Sequence, residues 1–235
     1  MGDDLFDGHG NSYEVEACID ATDTVDEDNE NNNCRTEDDE DLDEDDDDDY
    51  TCSDFHDVED HWAEEYICDL FDLEIVEGYS HYTFGPDEDI SRAEFLKIAL
   101  LAADEDVEGD RDGDKYSDIS SSDWYYDYVT YATEEGFVEG YSDGKFRPND
   151  DISRAEAVII LMRIAGYEEE DYDDFDTSDI NFNDVERNDW FTWAIILADD
   201  KDIVDGYGDD SFRPYNDLSR GEASKIVDLA IDELF

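Results

Sequence analysis

Gly140-Tyr141-Ser142-Asp143-Gly144-Lys145-Phe146-Arg147-Pro148, followed after three intervening residues by Ile152-Ser153-Arg154-Ala155-Glu156, is the stretch whose reading decides the fold. Two glycines that tolerate positive φ and a closing proline make its first part a compact loop. Ser153-x-x-Glu156 ahead of the apolar run Ala157 to Met162 is a capping box, the mark of a helix start. The stretch recurs. Gly206 to Pro214 leads to Leu218-Ser219-Arg220-Gly221-Glu222, and Gly78 to Pro86 leads to Ile90-Ser91-Arg92-Ala93-Glu94. Sixteen residues before each glycine stands a tryptophan, Trp62, Trp124 or Trp190, and fourteen after it an arginine, Arg92, Arg154 or Arg220. Both offsets are the same in all three copies, so one unit is repeated three times.

Upstream of each loop runs a stripe with helical period, such as Trp62-Ala63-x-x-Tyr66-Ile67-x-x-Leu70 or Trp190-x-x-Trp193-Ala194-x-x-Leu197. It predicts a first helix opened by Asp60, Asp123 or Asp189 as N-cap. A second helix follows each Ser-Arg-(Ala/Gly)-Glu. The class is therefore mainly α, with three helix-loop-helix units over 55–107, 108–170 and 171–235. A lone pair of helices cannot bury such stripes, so the three units must pack together.

Seventy-six Asp and Glu against fourteen Lys and Arg give a net charge of −62 over 235 residues. That excludes nucleic acid and anionic membrane surfaces as partners, since both are held by cationic side chains that displace counterions. Apolar runs reach only six residues, against the ~18 needed to span a bilayer. Residues 1–54 hold twenty-four acids and one base, Arg35, and from Glu37 to Asp49 only Leu42 interrupts the carboxylates. This is an acidic arm or linker. Residues 55–235 hold fifty-two acids and thirteen bases, a net −39, interleaved with all four Trp. Met1-Gly2-Asp3-Asp4 begins no basic-then-apolar leader, which fits a removed signal or a piece cut from a longer protein. Cys18, Cys34, Cys52 and Cys68 are an even number in acidic, exposed sequence, which favours disulfides and an oxidising compartment, with three connectivities open. Cys52, His56, His61 and Cys68 also have zinc-ligand types, at a spacing that matches no familiar finger.

On these residues the chain resembles the S-layer homology family, in three tandem copies over residues 55–235. The likeness rests on the aromatic-x-Asp-Val lead-ins Phe55 to Val58 and Phe182 to Val185, on Trp62-Ala63, on the loop Gly140 to Pro148 and on the three Ser-Arg-(Ala/Gly)-Glu copies. The resemblance implies a pseudo-threefold prism with one helix per unit in a central bundle and ligand grooves between neighbouring units. It further implies non-covalent attachment of an extracellular protein, in an S-layer or on the cell wall, to an anionic envelope polysaccharide, in many members through pyruvylated amino sugars. The family's Thr is Ser here, its Ala is Gly221 in the third copy, and the first loop lacks both the Asp-Gly and the Arg before Pro86. The first-copy site, assigned to Arg92, is accordingly expected to matter least. Tyr13 to Asp20 and Asp26 to Asn33 resemble the last strands of a bacterial cell-adhesion-related β-sandwich, which would make the chain the end of a larger surface protein.

The capping box explains the repeated Ser and Glu but not the Arg, because a cation in the first turn opposes the helix dipole. Two readings stand: a guanidinium fork clamping a ligand carboxylate, with helix amides as further donors, or an internal bridge to one of many acids. As a clamp, each Arg would be removable without loss of fold. Trp62, Trp124 and Trp190 are read as core residues by default, with a part as groove walls compatible with that, and Gly78, Gly140 and Gly206 as helix C-caps or turn residues that could also let a sugar approach the backbone closely. Asp110, Asp112, Asp114 and Asp118 around Gly113 have alternate carboxylates suited to Ca²⁺, against the plainer reading of a solvated linker; Asp118 could instead cap its helix. No cofactor is required, and no nucleophile-base pair, phosphate loop or His-x-x-x-His helix points to an enzyme. The reading is an anchoring module for envelope polysaccharide. The alternative is a structural or protein-interaction module adapted to high salt or calcium.

Overall fold

Three serines start three helices in the same way. In the computed structural model, which describes residues 50–107, 115–169 and 180–235, the side chains of Ser91, Ser153 and Ser219 accept from the amides of Glu94, Glu156 and Glu222, and those glutamates reach back to the serine amides. The chain divides into residues 1–49 and 50–235, and all described residues lie in the second part. Cys18, Cys34, the strand-like stretches of the arm and Asp110, Asp112 and Asp114 fall outside the described residues.

Among the described residues six α-helices alternate as outer and inner members. The outer ones are α1 (Glu64–Asp72), α3 (Tyr126–Glu134) and α5 (Thr192–Asp200); the inner ones are α2 (Arg92–Ala102), α4 (Arg154–Ile164) and α6 (Arg220–Leu234). The inner helices pack on one another. Each outer helix packs on the inner helix of the preceding unit: α3 on α2, α5 on α4, and α1, closing the ring, on α6. No unit is therefore a self-contained hairpin, which is how the amphipathic stripes are buried.

The ring closes in the backbone too. The amide of Ile90 donates to Leu218, that of Leu218 to Ile152, and that of Ile152 to Ile90, at 2.9, 2.9 and 3.0 Å. Around this triangle lies one core, filled by Phe84, Phe146 and Phe212 from the loops and by Phe95, Leu96, Leu100, Val158, Leu161 and Val227 from the inner helices. Cys52 and Cys68 form a disulfide that ties a short 3₁₀ helix (Cys52–Asp54) to α1, so neither sulfur remains as a thiolate for zinc.

The outer helices start later than the periodicity suggests. Their N-caps are Ala63, Tyr125 and Phe191, without a side-chain cap bond. Asp123 and Asp189 instead brace the preceding turn, accepting from Ser120 and Glu186, and Asp60 takes positive φ with its amide donated to Glu64. The tryptophans thus sit in turns, off the buried stripe, and the residue after each (Ala63, Tyr125, Phe191) takes the core position.

Candidate functional site

Aspartate clamps fix each loop. The two oxygens of Asp57 accept from Phe84 and Gly85, those of Asp118 from Phe146 and Arg147, and those of Asp184 from Phe212 and Arg213, all at 2.7–2.9 Å. Asp118 therefore braces its loop and does not cap the helix that follows. The aromatic two residues earlier lies against the loop glycine: a Cβ on Gly78, Gly140 or Gly206 would stand 2.2, 2.2 or 2.6 Å from a ring carbon of Phe55, Tyr116 or Phe182. These glycines are neither C-caps nor positive-φ residues. They are glycines because a ring occupies the space of a side chain.

Each repeated Arg reaches forward into the loop of the next unit. Arg92 donates through Nε to the carbonyl of Phe146 and through a terminal nitrogen to that of Glu139; Arg154 does the same with Phe212 and Asp205. Arg220 closes the circle on Phe84 and Glu77 of the first unit, at 2.9 and 2.7 Å. The sequence reading assigned Arg92 to the degenerate first loop; the arginine that reaches that loop is Arg220. The helix amides are occupied as well. Arg92, Arg154 and Arg220 donate their N–H to Asp150, Asn216 and Glu88, and Ala93, Ala155 and Gly221 donate theirs to Pro148, Pro214 and Pro86. With the third amide on serine, no N-terminal donor of these helices is left for an anion.

Internal ion pairs also exist. Arg92 meets Glu156 at 3.1 Å and Arg154 meets Glu222 at 3.3 Å, with the arginines 4 and 5 % exposed. Tyr141 and Tyr207 donate to the same two carboxylates, at 2.7 and 2.5 Å. Burial works against the Glu156 carboxylate, but Tyr141, Arg92 and Ser153 together outweigh it and hold its pKa below the usual range. Burial also raises the Tyr141 and Tyr207 phenols, and their glutamates add to that.

Three grooves result, and each collects its parts from all three units. The first, about 210 Å³, is lined by Gly78 of unit 1, Trp124 of unit 2 and Arg220 of unit 3. The second, about 330 Å³, has Gly140, Trp190 and Arg92; the third, about 290 Å³, has Gly206, Trp62 and Arg154. The nine residues singled out by spacing thus converge in three sets of three. Trp62, Trp124 and Trp190 are 54, 55 and 50 % exposed, so they are groove walls and not core. Spacing did not point to the second cations: Lys97 in the first groove, Arg163 in the second, Lys225 in the third. Six of the thirteen Lys and Arg of residues 55–235 line these grooves beside seven of the fifty-two acids, so the grooves are close to neutral within a strongly negative domain.

Where the triangle meets solvent, Asp89, Asp151 and Asp217 bring carboxylate oxygens within 4.8 Å of one another, a set that could share a cation. Burial and the two neighbouring carboxylates raise the pKa of Asp89. No described helix is long and apolar enough to cross a membrane.

The S-layer homology domain matches residues 54–96, 115–158 and 181–224. An amylopullulanase of Thermoanaerobacterium thermosulfurigenes is 33 % identical over 178 residues, 74 % of this chain and 9 % of that protein. The exoglucanase XynX of Acetivibrio thermocellus is 31 % identical over 179 residues, 74 % of this chain and 16 % of that protein. A cellulosome-anchoring protein of the same species is 29 % identical over 162 residues, 67 % of this chain and 35 % of that protein. The chain spans only a small part of the length of each.

Proposed function

The chain belongs to the S-layer homology family, and from that premise we propose that residues 50–235 hold a larger surface protein to the cell envelope by seating segments of an anionic polysaccharide in the three grooves. Cell-surface anchoring is the family's role. The finer reading, a carboxylate-bearing and in particular pyruvylated sugar, is supported by one observation above all: six cations of a net-negative domain line three cavities, each beside an exposed indole. An indole face stacks on the apolar face of a sugar ring, and a guanidinium or ammonium takes its carboxylate.

In this reading the buried arginines play two parts. They lock neighbouring units together through loop carbonyls, and with donors still unspent they form the polar floor of the groove. Trp62, Trp124 and Trp190 form the wall, and Gly78, Gly140 and Gly206 the point where a sugar ring approaches backbone. The chemistry is binding, without bond making. Calcium assists this binding through charge: at −62, a divalent cation that screens the field lets an anionic polymer approach.

The test is cosedimentation with purified cell walls before and after removal of the secondary polysaccharide by hydrofluoric acid. Binding to intact walls and loss of binding to stripped ones is expected; equal binding to both walls overturns the polysaccharide reading.

A further inference from the structure

The three grooves share a plan but differ in how their cations are held. In the second and third, the floor arginine is neutralised from inside the protein, Arg92 by Glu156 and Arg154 by Glu222. In each, the loop tyrosine lies between two guanidinium groups: Tyr141 between Arg92 and Arg147, at 5.2 and 4.0 Å from the ring centre, and Tyr207 between Arg154 and Arg213, at 5.1 and 3.8 Å. That sandwich places each phenol on its glutamate.

The first groove lacks the second slice. The residue before Pro86 is Gly85, and the ring of Tyr79 has moved against it, 3.0 Å from where a Cβ would stand. Among the described residues Tyr79 makes no hydrogen bond to Glu94, and no ion pair joins Arg220 to a carboxylate; its guanidinium lies 4.2 Å from the Tyr79 ring centre. Lys97, one turn along α2, is held just as loosely, 3.8 Å from a Glu77 carboxylate that is itself 79 % exposed. The matching Lys225 of the third groove is bonded to Asp205 at 2.5 Å, and the matching position of the second is the apolar Ile159.

We infer that the first groove, between Trp124, Lys97 and Arg220, is the dominant site for the carboxylate of an acidic sugar, and that the loss of the loop arginine at Gly85 is what opens it. The inference rests on the anchoring reading and reverses the ranking of sites expected from the loop sequence. An incoming carboxylate displaces no internal carboxylate from Arg220, whose side-chain partner is the neutral Tyr79 hydroxyl, whereas at Arg92 or Arg154 it must compete with a glutamate already in place. The groove is lined by two cations, Lys97 and Arg220, together with Trp124, and by the carboxylates of Glu77 and Glu94.

The experiment is titration of ¹⁵N-labelled protein with sodium glucuronate, reading the indole N–H signals of the exposed tryptophans. The Trp124 signal is expected to move at a dissociation constant at least about fivefold below those of Trp62 and Trp190. Lys97→Ala should weaken the Trp124 response about fivefold and leave the other two indoles where they were. Gly85→Arg, which copies the positive-φ arginines Arg147 and Arg213 of the other loops, should bring the three responses together. Equal constants at all three indoles, or a Trp124 response untouched by Lys97→Ala, overturns the inference. A Trp124 response with these properties in a protein that fails to sediment with cell walls supports the site and overturns the anchoring reading alone.

Discussion

The floor and the wall of each groove are built by opposite rules. The floor, Ser-Arg-(Ala/Gly)-Glu with its loop glycine, is repeated almost unchanged, and its buried arginines each bond to the loop of the next unit. The wall, an exposed Trp with a Lys, Ile or Arg nearby, touches little and varies. The contrast assigns the arginine a job the family resemblance leaves unstated: it is first a joint between units and only then a ligand contact.

Removing the joint should have the largest effect. Arg154→Ala strands two loop carbonyls and the Glu222 carboxylate, and a cost of about 3–5 kcal/mol is expected, read as a large fall in urea midpoint. A variant that melts like the wild type would return the arginine to a pure ligand clamp. Gly140→Ala should come next, because its methyl would enter the Tyr116 ring at 2.2 Å; about 3 kcal/mol is expected from chemical denaturation. If it costs under about 1 kcal/mol, the ring is not what selects glycine there.

A smaller effect with the opposite sign is expected away from the grooves. On α6, burial and the nearby Asp69, Asp232 and Glu65 raise Asp228 to a pKa of about 6. A carboxyl whose folded pKa lies above its unfolded value favours the fold below the unfolded value and loses that contribution as pH rises to about 6. Asp228→Asn should therefore stabilise the domain at pH 7 by about 1 kcal/mol, the half-buried site being screened by solvent, and the gain should vanish near pH 4. A gain that persists at pH 4 would exclude titration as its cause. Screening acts in the same direction across the whole domain, so stability should rise with NaCl. Asp89→Asn should reduce any extra benefit of CaCl₂ over MgCl₂ at equal ionic strength; an unchanged benefit would exclude the Asp89, Asp151 and Asp217 cluster as its source.

The repeat, the helical class and the capping boxes were legible because they depend on spacing within one unit. Which arginine serves which loop was not, since Arg92 reaches forward to Phe146 and only the closed ring sends Arg220 back 136 residues to Phe84. The tryptophans continue the helical stripe, which suggests the core; starting the helix two or three residues later turns them outward. The clamping aspartates stood in plain view in the aromatic-x-Asp lead-ins, but among fifty-two acids a carboxylate carries no signal until its partner is known. Gly85, taken as a mark of decay, matters through the arginine it omits.

The central claim, that the walls supply most of the binding while the floor arginines are joints first and ligand contacts second, is tested most directly by replacing Trp62, Trp124 and Trp190 together by Ala and measuring cell-wall cosedimentation and thermal unfolding on the same sample. The account predicts loss of most wall binding with a melting temperature close to that of the wild type, since three half-exposed side chains contribute little to the core. Wild-type sedimentation by the triple variant, or loss of binding only in step with loss of fold, would contradict it.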